Sequence, residues 1–470
     1  MMRWFFLIHR YLGIGIGVLM LLWCVSGFVM MYVYYPELSA RERLQHVRPI
    51  DWRACCVVSD SSLADDAHIA RFRVEMVGAT AMLSLEPVGG APMLINLADG
   101  HVMAGLPERD AESVAMGFSQ TAGGPRLKRL VDRDQWTVSG EFNPLRPLYL
   151  FALADAAGTQ LYVSSVTGKV VQVTTARQRF WNWLGAIPHW LYFTRLRANT
   201  GLWSQVVIWT SLAGSFLTFI GLYIGVRQFL RRPALKWSPY RGVLLWHHVP
   251  GLIFGVLLLT WVLSGLFSMN PWGFLDSDAP GRANTVLRGE PLTGLQVKTT
   301  IQSLMGLARL PDIVTVESAP LQGQLYLAAT TAGGARWRFD SAGRSARISG
   351  ATWDQLARSL GAGELHLVTE PDAYYFDRHD DHVLFPVYRI ISAAPQRTRY
   401  YLDPLTGGLL ASFDSNARWY RWLHQGLHTL DFTPGLRARP GWDFLMVLLL
   451  SGATLIAATG AYIGVRRILR

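Results

Sequence analysis

The chain has 470 residues, of which 50% are hydrophobic and only 16% are charged, and its formal net charge is +11. This composition is typical of a membrane protein with sizeable polar domains and argues against an ordinary soluble enzyme. Much of the basic charge lies beside apolar stretches, where anionic lipid accounts for it. The composition therefore predicts a membrane protein that has no nucleic-acid partner.

Four stretches contain no Asp, Glu, Lys or Arg and are long enough to cross a bilayer, which needs roughly 20 apolar residues. In chain order they are residues 11–36, 198–226, 242–275 and 444–465. The first stretch could be a signal peptide with a weak cleavage site at residues 38–40. Its sequence returns near residue 250, which favours a retained membrane anchor. The pattern predicts four transmembrane helices.

Basic residues set the expected orientation. Residues 227–241 contain five Lys or Arg and no acid, and both ends of the chain are basic as well. Short loops rich in Lys and Arg stay on the cytoplasmic side of a membrane. We therefore expect both termini inside and two long segments, roughly 37–200 and 271–440, outside.

The two halves of the chain repeat each other at an offset of 238 or 239 residues. The offset aligns His9 with His247, His189 with His428, and "GLYIGVR" (221–227) with "GAYIGVR" (460–466). Self-similarity at a fixed spacing indicates duplicated structural units. Each half is predicted to be a helix, an outer domain and a second helix, so a pseudo-two-fold axis should run along the membrane normal.

The outer domains are predicted to be α+β. Apolar runs broken by Gly pairs indicate hairpins in residues 81–103 and 323–344, and helical spacing of apolar residues occurs in 110–120 and 351–360. We expect a helix and a hairpin twice in each half.

Three cysteines occur, Cys24 in the first span and the neighbours Cys55 and Cys56, whose geometry disfavours a mutual disulfide.

This gives a predicted organisation of nine segments. They are transmembrane helix 1 (1–36), outer domain 1 (37–178), an interfacial segment (179–200), helix 2 (201–227), a basic loop (228–241), helix 3 (242–270), outer domain 2 (271–417), an interfacial segment (418–440), and helix 4 with the tail (441–470).

The chain resembles a known family over nearly its whole length. The turns "SVTGKV" (165–170) and "PLTGGL" (404–409) are similar to the end of a PepSY domain, and the segments 179–193, 247–274 and 374–390 resemble PepSY-associated transmembrane proteins. The resemblance implies a bacterial inner membrane and periplasmic PepSY-like domains. The family includes haem-containing reductases of ferric siderophores, so the resemblance also implies that activity.

Duplicated histidines are the candidate site. His9 and His247 are expected at the cytoplasmic ends of helices 1 and 3, and His189 and His428 at the opposite side. Two imidazoles facing one iron from opposite sides would hold a haem b, so one or two haems are predicted. His248 is a rival of His247, and His424 is a rival ligand without a symmetric partner because residue 185 is Gly.

Two other interpretations of the histidines stay open. Interfacial histidines can simply hydrogen-bond as polar tips at helix ends. They could also bind a metal ion without haem, although no carboxylate or thiolate accompanies them in the helices. Arginines at both ends could pair with haem propionates, although lipid anchoring explains them as well: Arg3, Arg10, Arg241, Arg195, Arg197 and Arg421.

The leading hypothesis is an inner-membrane oxidoreductase that passes electrons through haem b to a periplasmic ferric chelate such as a ferric siderophore. No dinucleotide-binding motif is visible, so the donor would be membrane quinol or a cytoplasmic reductase. The main alternative is a non-enzymatic PepSY membrane protein that regulates or binds a periplasmic partner. A proton-coupled transporter and a pocket in residues 370–389, with His379 and His382, are further possibilities.

Overall fold

A computed structural model describes residues 2–119, 123–231, 237–377 and 383–469. The chain divides into two compact units, each assembled from separated segments. The helical unit comprises Met1–Tyr35, Arg177–Asp276 and Asn416–Arg470, and the sheet unit comprises Pro36–Ala176 and Ser277–Ser415.

The helices of the described residues follow in chain order. They are α1 (Met2–Met30), α2 (Ala40–Gln45), α3 (Glu108–Phe118), α4 (Ala176–Asn182), α5 (Ala186–Trp190), α6 (Thr194–Arg197), α7 (Thr200–Leu230), α8 (Val243–Ser268), α9 (Ala279–Arg288), α10 (Gly294–Ser303), α11 (Gly350–Ser359), α12 (Ser415–Tyr420), α13 (Leu427–Thr429), α14 (Pro434–Arg437) and α15 (Gly441–Ile468).

The strands are all short except the first two. They are β1 (His68–Val77), β2 (Thr80–Pro87), β3 (Met93–Asn96), β4 (Val102–Met103), β5 (Pro125–Val131), β6 (Leu148–Leu153), β7 (Gln160–Ser164), β8 (Val170–Thr174), β9 (Leu292–Thr293), β10 (Ile313–Ser318), β11 (Tyr326–Thr331), β12 (Arg336–Asp340), β13 (Glu364–Val368), β14 (Val387–Ile391), β15 (Arg399–Leu402) and β16 (Leu409–Phe413).

Four helices of the helical unit, α1, α7, α8 and α15, are long and apolar enough to cross a membrane. The shortest has 26 residues, which corresponds to about 39 Å of helix. This confirms the four predicted spans and identifies a membrane-embedded protein. Helix α1 packs against α7 and α15, and α8 packs against the same two helices. Therefore α1 and α8 lie diagonally across a four-helix bundle.

Small residues allow α1 and α15 to approach closely. A Cβ atom on Gly17 would lie 3.7 Å from the backbone of Ala461, and one on Gly464 would lie 3.5 Å from the backbone of Ile14. Glycine removes the side chain that would hold two membrane helices apart. The "GIGIGV" stretch of α1 thus serves helix packing.

The described residues of the sheet unit form three antiparallel sheets. The largest has eight strands in the order β12-β11-β10-β1-β2-β3-β4, with β9 also paired to β1, and the other two are β5-β6-β7-β8 and β13-β14-β15-β16. In the large sheet, β1 pairs with β10 through the register Val74↔Val316. The two outer segments, predicted to be separate domains, therefore contribute strands to one sheet and one core.

Helices α3 and α11 confirm the two helices that the sequence predicted in this unit. In the first half a helix precedes paired strands twice, α2 before β1–β2 and α3 before β5–β8, as expected. The second half has one further helix, α10, that the first half does not repeat. The repeat offset places the counterpart of α10 at residues 55–64, which form turns and irregular structure instead. Ser59 Oγ bonds Ser62 Oγ at 2.5 Å there, and short polar side chains that bond locally compete with helix formation.

The adjacent cysteines also differ from expectation. Cys55 and Cys56 are bonded to each other, whereas Cys24 is a free, buried thiol. The pair follows a 3₁₀ turn at Trp52–Ala54, and the backbone of Cys55 is extended, with φ −132° and ψ 153°. Cys56 belongs to the core beneath the large sheet.

A buried carboxylate links β1 to its surroundings in the sheet unit. Glu75 is 3% exposed and accepts a hydrogen bond of 2.8 Å from Arg43. Burial alone would raise the pKa of Glu75, but Arg43, Lys169 and Arg73 outweigh it, and the pKa lies below its ordinary value. Burial lowers the pKa of Lys169 to about 8 despite Glu75, 3.9 Å away, so Arg43 is the main partner of the carboxylate.

We expect Glu75→Gln to lower the free energy of unfolding at pH 7 by about 3 kcal/mol, because it leaves the largely covered Arg43 guanidinium without its counter-charge. A lowered carboxylate pKa gives stability that is present above the unfolded pKa and lost as pH falls through the folded pKa. The difference between wild type and variant should therefore hold from pH 7 to about 5 and shrink below about 4.5. Thermal unfolding at each pH measures it. Glu86→Gln is the control, because the Arg71–Glu86 pair is exposed.

Candidate cofactor site

The first histidine pair lies at the end of the bundle where α1 and α8 begin. The rings of His9 and His247 face each other across the bundle with centroids 6.2 Å apart and planes inclined by 43°. Both imidazoles are half-buried. The two residues that the repeat aligned are therefore neighbours in space, because α1 and α8 are diagonal partners.

Each of these rings is oriented by a carbonyl of the adjacent helix. His9 Nδ1 lies 3.2 Å from the carbonyl oxygen of Leu217 in α7, and His247 Nδ1 lies 3.1 Å from that of Ile456 in α15. A carbonyl oxygen only accepts, so Nδ1 carries the proton in both rings. The Nε2 lone pair is then the free one, and no hydrogen bond reaches it within the described part of the chain.

A glycine one turn beyond each carbonyl makes room for the ring. A Cβ atom on Gly221 would lie 2.7 Å from Cε1 of His9, and one on Gly460 would lie 3.1 Å from Cε1 of His247. The distance at Gly221 is shorter than Cβ atoms show in real structures, and the distance at Gly460 is shorter than most of them show. The ring of each histidine thus occupies space that a side chain at residue 221 or 460 would fill.

The second pair consists of His189 in α5 and His428 in α13. Their ring centroids are 6.0 Å apart, and the rings meet edge to face at 76°. Both short helices end at a leucine in the left-handed conformation, Leu191 with φ 53° and Leu430 with φ 56°. In both helices the left-handed leucine follows the histidine by two residues, so the two imidazoles are presented alike.

The second pair has the same tautomer as the first. Ser26 Oγ donates to backbone carbonyls of α1, so His189 Nδ1 donates to Ser26 Oγ at 3.0 Å and to the Trp23 carbonyl at 3.1 Å. Ser264 Oγ likewise donates to the Trp261 carbonyl, so His428 Nδ1 donates to Ser264 Oγ at 2.9 Å. Nε2 is again the unprotonated nitrogen.

The two pairs lie at opposite ends of the bundle. On α1, residue 9 belongs to the first pair and residue 26 contacts the second, an axial separation of about 25 Å. The layer between them is apolar and buried, and includes Met20, Cys24, Leu258 and Leu450. The two histidine pairs are thus separated by a buried apolar layer.

His248, the rival of His247, has a different environment. Its Nε2 donates to the Gly225 carbonyl at 2.9 Å, and its Nδ1 bonds Ser238 Oγ at 2.9 Å. Both ring nitrogens are therefore used within the helical unit, and the side chain is 8% exposed. His248 is a buried residue that joins α7, α8 and the residues before α8.

His424 adds a third imidazole beside the second pair. Its ring lies 5.6 Å from that of His428, and its Nδ1 donates to the Ser264 carbonyl at 3.2 Å. It belongs to a π-helical turn, Arg421–Gly426, a conformation that often marks functional sites. The equivalent residue in the first half, Gly185, has no room for a side chain, because a Cβ atom there would lie 2.9 Å from Val29 Cγ1.

Two of the candidate arginines are held by protein partners. Arg421 is 2% exposed and donates to the carbonyl oxygen and carboxylate of Asp431. Arg197 is also buried, and its guanidinium lies 4.4 Å from the ring centroid of Trp203. The other four, Arg3, Arg10, Arg195 and Arg241, are exposed. The suggested pocket around His379 and His382 lies outside the described residues.

The residues that orient the imidazoles could not all be predicted from the sequence. Leu217 and Ile456 act through their carbonyls, which carry no sequence signature, whereas Gly221 and Gly460 stand at matched positions of the repeat.

Within the described ranges, no group of three or more His, Cys, Asp or Glu side chains could hold a metal ion. No protein-family model and no curated protein matches the sequence.

Proposed function

We propose that the chain is an electron-transfer protein of the bacterial inner membrane that binds haem b through His9–His247 and His189–His428 and reduces a periplasmic ferric chelate. One observation carries the proposal. Two pairs of facing imidazoles lie at opposite ends of a membrane bundle, each ring with Nδ1 donating and Nε2 free.

The ring separations fit ligation of one metal ion by two imidazoles from opposite sides. Imidazole nitrogen lies roughly 2 Å from a bound transition metal, so two opposed rings have centroids about 6 Å apart. The centroids of the two pairs are 6.2 Å and 6.0 Å apart. Ligating histidines also donate their other ring N–H to a carbonyl or similar acceptor, which fixes the ring and strengthens the ligand.

Glycines one turn beyond the first pair leave open space beside the histidines, which a flat cofactor held there would need. Gly13 and Gly251 follow His9 and His247 by four residues, so they lie on the same helix faces. A Cβ atom on Gly251 would meet nothing within 4 Å, and one on Gly13 would meet only Leu217 Cδ1 at 3.9 Å. Apolar surroundings suit a porphyrin, and the residues present therefore fit haem.

The chemistry divides between the cofactor and the chain. Haem, when bound, supplies reversible one-electron exchange. The carbonyls of Leu217 and Ile456 hold the rings, and the apolar layer between the pairs excludes water and ions. Reduction of Fe(III) to Fe(II) weakens its affinity for hard oxygen ligands, which would release iron from the chelate. Membrane quinol or a cytoplasmic reductase would supply the electrons.

Further parts of this proposal rest on the sequence. They are the duplication of the two halves, both termini in the cytoplasm, PepSY-like sheet domains in the periplasm, and membership of the PepSY-associated transmembrane family. Basic residues at the end shared by the chain termini support the orientation, among them Arg227, Arg231 and Arg466.

The test is an absorption spectrum of the purified full-length chain. We expect a Soret band, two haems per chain by pyridine haemochrome, and oxidation of the dithionite-reduced protein when a ferric chelate is added without oxygen. A protein that stays colourless after expression with added haem precursor would contradict the proposal and favour a regulatory or ligand-binding protein.

A further inference from the structure

The sheet unit has an open depression of about 400 Å³ at the edge strand β5. Its lining includes Lys128, Arg129, Gln135, Trp136, Leu150 and Gln160. We infer that this depression binds an anionic, oxygen-rich iron chelate. The inference rests on the proposed function and specifies its substrate class as a negatively charged chelate.

A β-bulge brings the two cations together. In the pairing of β5 with β6, Leu127 opposes Phe151 and Arg129 opposes Leu150, so Lys128 is an extra residue without its own partner. Successive side chains of a regular strand point to opposite faces, whereas a bulge turns a neighbouring side chain to the same side. Lys128 and Arg129 therefore both line the depression.

The remaining lining suits an anion with an organic body. Trp136 and Leu150 are buried residues that give an apolar floor, and Gln160 contributes a side-chain amide to the lining. The nearby carboxylate of Asp134 already accepts hydrogen bonds from Tyr162, at 2.7 Å, and from the backbone N–H of Trp136, at 3.0 Å. The exposed lysine and arginine thus outnumber the one carboxylate of the lining.

The repeat offset gives a comparison within the same chain. The counterparts of Lys128 and Trp136 are His366 and Tyr374, and that of Gln160 is Arg399. The Arg399 guanidinium lies 4.6 Å from the Tyr374 ring centroid, where it covers the aromatic floor. The open basic depression is therefore a feature of the first segment, and repetition of the fold does not explain it.

Two cations, one of them a guanidinium, match the carboxylate or phenolate oxygens of an anionic chelate better than the oxygens of an uncharged trihydroxamate complex. We therefore expect the full-length protein in neutral detergent to bind gallium citrate, a redox-inert anionic chelate, more tightly than an uncharged gallium trihydroxamate. Isothermal titration calorimetry measures both. The double variant Lys128→Gln/Arg129→Gln should weaken gallium citrate binding by at least about tenfold. It should leave trihydroxamate binding unchanged.

The matched control is Arg126→Gln, which removes a charge from the same strand but lies outside the lining. The inference is overturned if the double variant binds gallium citrate like the wild type, or if Arg126→Gln weakens binding equally. It is also overturned if phosphatidylglycerol, added to the micelles, displaces gallium citrate, because the site would then serve lipid headgroups. The titration needs no haem. A colourless protein that binds gallium citrate as expected would therefore contradict the redox proposal but support the binding site.

Discussion

Replacing His247 with alanine should abolish haem binding at the first pair, whereas His248→Ala should retain it. The two histidines are adjacent in sequence, but only His247 faces His9, and only His247 has an Nε2 free of hydrogen bonds among the described residues. His248 uses both nitrogens for Ser238 and Gly225. The first variant removes one of the two imidazoles that would hold the proposed haem, whereas the second removes a hydrogen-bonding residue of the helical unit.

Pyridine haemochrome and the Soret absorbance measure the outcome. We expect His247→Ala and His9→Ala each to lose half of the haem, and His248→Ala to keep all of it with a free energy of unfolding lowered by about 1–3 kcal/mol. Equal haem loss in His247→Ala and His248→Ala would show that the variants act through folding. Full haem in His9→Ala would remove the first pair from the proposal.

The sequence was sufficient to predict the spans and the pairing of the histidines. Span length follows from local composition, and the pairing of His9 with His247 follows from an offset that treats both halves alike. Axial depth can be counted from helix rise. These are properties of single helices or of the repeat, so they need no knowledge of packing.

Packing decides the features that the sequence could not reveal. The preference for His247 over His248 depends on which helix each ring meets, α15 for His247 and the end of α7 for His248. The shared sheet depends on a long-range pairing between β1 and β10, more than 230 residues apart in the chain. Turn structure at residues 55–64 and the bond between Cys55 and Cys56 are local exceptions to the repeat.

Gly221→Ala should displace the ring of His9 and disturb the first pair, because its Cβ would lie 2.7 Å from Cε1 of His9. Inserting a methyl group into a packed contact costs about 1–3 kcal/mol, and here either the ring or helix α7 must move. The His9 hydrogen bond to Leu217 lies one turn away on the same face, so movement of the ring also weakens its orientation.

We therefore expect Gly221→Ala to lower haem occupancy of the first pair or shift its reduction potential, while signals from the second pair stay unchanged as an internal reference. Gly460→Ala should act in the same direction but less, because its contact with His247 is longer, at 3.1 Å. Gly15→Ala is the control, since its Cβ would meet nothing within 4 Å. A redox titration monitored by absorbance distinguishes the reduction potentials of haem at the two histidine pairs. If Gly221→Ala and Gly460→Ala both titrate like the wild type, His9 is not held against α7 in the working protein, and the proposed orientation of its ring by the Leu217 carbonyl is wrong.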